Sequence, residues 1–122
     1  MEISIENVAV KFKRYANEPI DGQEPDRDSL CLSLCEECAG WVREQAVCGP
    51  EQDASPLESL AAAEAFYQLA ELDQAGLPQT VSSPEVKLQL GDRVAHAQRL
   101  RDEKRLACAG LLREDGFFFG RV

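Results

Sequence analysis

Residues 55–76 constrain the fold more than any other stretch of the chain. They open with Ser55-Pro56-Leu57-Glu58 and continue as an Ala- and Leu-rich run to Asp73. Ser55 as N-cap, Pro56 at the first helical position and Glu58 at the third make a capping-box signature. Ala and Leu are strong helix formers, and Gly76 with Pro78 just beyond supplies the stop. Leu60, Ala63, Phe66, Tyr67 and Ala70 recur at helical spacing and form the expected buried face. A helix with such a face needs other elements to cover it.

The remaining segments predict mostly further helices. Ile5, Val8, Phe12 and Tyr15 share one helical face behind Ser4 as N-cap, and Lys11, Lys13 and Arg14 gather toward the C-terminal end. The alternation of Val8, Val10 and Phe12 offers a strand as the competing reading, and helix is preferred. Residues 16–28 hold Pro19, Gly22, Pro25 and five acids, a loop composition. Asp26 or Asp28 is expected to cap a second helix over about 29–47, with Leu30, Cys31, Leu34, Cys35, Cys38, Trp41 and Val42 as its apolar stripe. Val86, Leu88 and Leu90 alternate with Lys87 and Gln89, and Gly91-Asp92 allows a short hairpin returning through Arg93-Val94. A last helix is expected over about 95–114, with Ala97, Leu100, Ala107, Cys108, Leu111 and Leu112 facing a core. Arg99, Arg101, Asp102, Glu103, Lys104 and Arg105 are expected to form its solvated belt. The fold class is therefore mainly α: one domain over 1–122, a small bundle of about four helices with a short β-hairpin allowed before the last.

Composition sets the limits of function. The chain has 122 residues, 44% hydrophobic and 29% charged, which suits a single ordered domain. No apolar run approaches the roughly 20 residues that span a bilayer, so no membrane contact is expected. Acids in Met1-Glu2-Ile3-Ser4-Ile5-Glu6 stand where a signal peptide carries positive charge, and the protein is expected to stay where it is made. The net charge of −9 argues against tight nucleic-acid binding. Residues 1–85 carry 5 basic and 17 acidic side chains, and residues 86–122 carry 8 and 5. That split reads either as chance and solubility or as a head-to-tail contact between identical subunits, weakened by salt.

Five cysteines, Cys31, Cys35, Cys38, Cys48 and Cys108, fit free thiols in a reducing compartment. The C-x-x-x-C-x-x-C spacing of the first three looks like the iron–sulfur signature of radical S-adenosylmethionine enzymes. Those enzymes need a barrel of some 200 residues or more. A zinc site with Cys48 as fourth ligand departs from the usual two short-spaced pairs. Positions i, i+4 and i+7 lie on one helical face, and free Cys packs as a small hydrophobe, so core packing is the preferred reading. No metal or other cofactor is expected. His96 has no nucleophile motif near it. Glu36-Glu37 and Asp102-Glu103 are adjacent and point apart. Neither phosphate-cradling glycine motif occurs. No catalytic, metal or cofactor residue is therefore assigned, and no enzymatic activity is expected.

The order of these segments resembles the small helical head–tail connector (adaptor) proteins of tailed bacteriophages and prophages. Ser4-Ile5-Glu6-Asn7-Val8 through Arg14-Tyr15 looks like that family's first helix. The acidic loop entering Leu30-Cys31-Leu32-Ser33-Leu34 looks like its second-helix start. Leu90-Gly91-Asp92-Arg93-Val94, followed by Leu100, Ala107, Leu111 and Leu112, looks like its final hairpin and helix. The resemblance implies a structural subunit in a ring between portal and tail, present in the bacterial cytoplasm and then in the virion. A small helical adaptor or regulator binding one protein partner is the alternative. Expected partner contacts are Arg101, Lys104 and Arg105 and the aromatic tail Phe117, Phe118 and Phe119, with residues 117–122 as a docking element.

Overall fold

The computed structural model describes residues 2–18, 20, 22–49, 51–76 and 84–112. Four helices follow one another: α1 (Ile5–Ala16), α2 (Pro25–Gln45), α3 (Ser55–Ala75) and α4 (Pro84–Ala107). A short 3-10 turn, Ala109–Leu111, comes after α4. The fold is a small, mainly helical bundle. Among the described residues the only strand-like pairing is an isolated antiparallel bridge between Ala46 and Leu112.

The hairpin expected over 86–94 is instead the first half of α4. Proline suits the first turn of a helix, where its missing N–H costs nothing, and Pro84 stands there. Three alternating apolar residues are too few to specify a strand when no second strand is present to pair with them. Val94, Ala97 and Leu100 continue at helical spacing and pack against the core. The helix ends at Ala107, seven residues before the expected limit, and Cys108 to Leu112 turn back to meet the end of α2.

α3 is the centre of the bundle, packed against α1, α2 and α4. The expected single buried face is too narrow. Leu57, Leu60, Ala61, Ala62, Ala63, Ala65, Phe66, Leu69 and Ala70 are all buried, while Tyr67 is only half-buried. The consecutive alanines explain this enclosure. Small side chains on several sides let neighbouring backbones approach while still removing apolar surface from water. Phe12 of α1 and Phe66 of α3 supply the largest buried side chains, each worth roughly 1.5–3 kcal/mol of transfer free energy.

Contacts at both ends fix the helix directions. Glu58 near the start of α3 bonds Ser4 and Asn7 at the start of α1. Asp73 near the end of α3 pairs with Arg27 near the start of α2 and with Arg93 of α4. Cys108 after α4 reaches Pro56 at the first turn of α3. Helices α1 and α3 therefore run one way, and α2 and α4 the other.

The caps differ in instructive ways. Ser4 caps α1 as expected, accepting from the Asn7 N–H at 3.4 Å, and Asn17 in the left-handed conformation closes it. α2 begins at Pro25, four residues early, so Asp26 and Asp28 lie inside its first turn. Asp28 instead accepts the Gly22 N–H at 2.7 Å. The Ser55–Glu58 capping box does not form. Ala54 holds the N-cap position of α3, and the Ser55 N–H donates to Asp53 at 3.1 Å.

Candidate functional site

Among the described residues the fold buries three charged side chains, Glu58, Glu64 and Arg105, the last of which was expected in a solvated belt. Each has a stated partner. Glu58 Oε2 accepts the Ser4 N–H at 2.8 Å and lies 3.3 Å from Asn7 Nδ2. A carboxylate of α3 thus performs for α1 the reciprocal half of a capping box. Alongside it, Lys11 Nζ donates to the Ser55 carbonyl and to the Ser55 and Ser59 hydroxyls.

Glu64 and Arg105 form the most enclosed ion pair among the described residues, Nε to Oε1 at 2.5 Å, with side chains 7% and 8% exposed. The Arg105 guanidinium also lies over the Trp41 ring of α2, 5.5 Å from its centroid. Three helices meet at this one cation. Arg105 is therefore not part of a solvated belt. Arg101 is stacked 4.2 Å from the Tyr67 centroid and pairs with its neighbour Asp102, and Lys104 lies 5.7 Å from the Tyr15 centroid. Phe117, Phe118 and Phe119 lie outside the described residues.

A second cluster ties four segments together at the other end. Arg27 donates to Glu18 at 2.6 Å and, through both terminal nitrogens, to Asp73 at 2.7 and 2.8 Å. Arg93 reaches Asp73 at 3.0 Å and the Ala16 carbonyl at 3.1 Å, capping the end of α1. It also lies 5.5 Å from the Phe66 centroid. The hydrogen bonds from Arg27 hold the Asp73 carboxyl below its ordinary pKa, and the Asp73 and Glu18 bonds raise that of Arg27.

The cysteines pack as the helical spacing predicts. Cys31, Cys35, Cys38 and Cys108 are buried free thiols, and Cys48 is half-buried. Burial pushes the Cys35 and Cys38 thiols up to about 12 and raises Cys31 and Cys108. A thiol held protonated is a weak nucleophile, so these groups serve as apolar packing. Among the described residues no three of His, Cys, Asp and Glu stand together in a way that suits a metal ion. His96 is exposed and meets Phe66 edge-on at 6.0 Å.

What the interior consumes changes the surface. Of the described charged residues classed as exposed, 14 are acidic and 4 are basic, namely Lys13, Arg14, Arg43 and Arg99. Two cations of the C-terminal third, Arg93 and Arg105, are spent inside the chain, against Asp73 and Glu18 and against Glu64. A further surface feature is an open groove of about 480 Å³ on the last turns of α3, lined among the described residues by Gln68, Glu71, Leu72, Gln74 and Ala75. Leu72 is 49% exposed and Leu88 of α4 is 65% exposed. Both lie within about one turn of the place where Gly91 approaches Gln74. Among the described residues no helix is long and apolar enough to cross a membrane.

Glu64 offered one signal in the sequence: a lone acid between Ala61-Ala62-Ala63 and Ala65-Phe66, with small residues on both sides. Arg105 offered none, because it sits in a run of charges. Comparison with protein-family models, with curated proteins and with solved structures gave no match.

Proposed function

We propose that the chain is a non-catalytic assembly subunit, and in its specific form a head–tail connector of a tailed phage that builds a ring between portal and tail. The observation that carries this reading is the use of the charged groups. The enclosed acids and cations are paired across helices, where they hold the bundle together. The outer surface left over is strongly acidic and carries exposed leucines. A rigid subunit of that kind suits a wall around passing DNA, since phosphate repulsion keeps contacts weak. Its partners are copies of itself and portal or tail proteins, first in the bacterial cytoplasm and then in the virion.

Of the three stretches that carry the likeness to connectors, the first is a helix, and the second is helical from Pro25, inside the acidic loop that was expected to precede it. The third is a continuous helix where a hairpin was expected. A second reading, a helical adaptor for one protein partner, is favoured by the groove on α3. Electron microscopy of the concentrated chain, alone and mixed with a tailed-phage portal protein, separates the two. Closed rings of uniform diameter support the connector. A monomer that binds one partner in equal ratio supports the adaptor and rejects the ring.

A further inference from the structure

We infer that the aromatic tail Phe117–Phe119 of one copy seats in the α3 groove of the next copy, making the subunit contact head-to-tail. This rests on the assembly reading above and names the surfaces that would carry it.

Reach decides which tail enters the groove. Leu112 is pinned to Ala46 at the end of α2, and Cys108 Sγ lies 3.4 Å from the Pro56 carbonyl at the start of α3. The groove lies at the opposite end of α3, around Leu72. Sixteen residues of helix separate Pro56 from Leu72, about 24 Å at 1.5 Å per residue. Five residues separate Leu112 from Phe117, at most about 18 Å of fully extended chain. Phe119 gains the level of Leu72 only with every bond stretched along the bundle and nothing left to go round it. Gln68, at the near end of the groove, lies about 18 Å from Pro56 on the same rise, so a straight-stretched tail meets only the near half of its own groove, whereas the tail of a neighbour can enter along its whole length. The chemistry matches. Leu72 and Ala75 offer apolar surface to a ring, and Glu71, the one charge among the described residues lining the groove, can meet Arg121 two residues beyond Phe119.

A tail-to-groove contact uses two different patches, so it propagates from copy to copy and closes as a ring or continues as a filament. It also gives a complementation test. The full chain, a variant lacking residues 117–122 and the variant Leu72→Lys are each measured by sedimentation across protein concentration. Leu72 is half-exposed, so the substitution leaves the core alone, and melting curves check that both variants fold. The expected result is an oligomer for the full chain and an association at least about tenfold weaker, some 1.4 kcal/mol, for each variant. Mixing the two variants should give a one-to-one pair, because one supplies only a tail and the other only a groove. Full oligomers from either variant, or no pair on mixing, overturn the tail-to-groove contact and leave the assembly reading standing. A full chain that stays monomeric overturns both.

Discussion

Glu64 of α3 and Arg105 of α4 form a salt bridge in which neither side chain is more than 8% exposed, with the indole of Trp41 beside the guanidinium. Removing one partner strands the other charge in the interior. Arg105→Met should therefore destabilise by about 3–5 kcal/mol. Replacing both, Glu64→Leu with Arg105→Met, should recover most of that loss, because a buried pair gains little over apolar packing. Urea denaturation of the two single variants and the double variant checks this. Additive losses would mean that the charges do not depend on one another.

Glu58 closes the start of α1 from a different helix. Glu58→Ala should cost about 1–2 kcal/mol, the range for a lost cap with an exposed donor beside it. Amide hydrogen exchange should show the loss first at the Ser4 N–H and the opening turn of α1. Protection there unchanged from the parent chain would contradict the role given to Glu58.

The thiols set a limit at high pH. In the folded chain Cys35 and Cys38 are pushed up to about 12, against an ordinary value of 9.0. A raised folded pKa gives stability that is complete below the unfolded value and is lost as pH rises toward the folded one. Stability should thus decline between about pH 9 and 12, less steeply in Cys35→Ala. At neutral pH a thiol reagent should modify half-buried Cys48 first and the four buried cysteines only as fast as the chain opens. Rapid modification of Cys35 would contradict its burial.

Asp73 acts in the opposite direction. Its folded pKa is lowered, so the stability it lends is present above the ordinary value of 3.8 and is lost as pH falls through the folded one. Asp73→Asn should lower the melting temperature at pH 7 and leave a smaller difference from the parent at pH 2. An equal difference at both pH values would mean that the carboxylate charge does not matter.

Much of this fold is legible in the sequence because its signals are local. Ser4 before Ile5, Val8 and Phe12 marks α1, and the Ala- and Leu-rich run ending at Gly76 marks α3. The cysteine spacing gives the buried face of α2. What escapes reading depends on partners distant in the chain. Glu58 has the position of a local capping box, yet its ligand is Ser4, 54 residues away. Arg105 stands in a charged run, and only the approach of Glu64, 41 residues away, draws it inside. The first half of α4 misleads for a different reason: alternation over a few residues is too short to oppose helix formation supported from the next turns. Arg93 and Arg105 are used within the chain, so the expected contact between an acidic and a basic face draws on the remaining cations, such as exposed Arg99.

Sedimentation of the purified chain over a hundredfold range of concentration, at low and at physiological salt, tests assembly most directly. The account predicts a discrete species whose mass is a multiple of 13.5 kDa. It also predicts that this species strengthens as salt rises, because screening within about 8–10 Å relieves repulsion between acidic surfaces. A single 13.5 kDa species at every concentration and both salts would contradict the account.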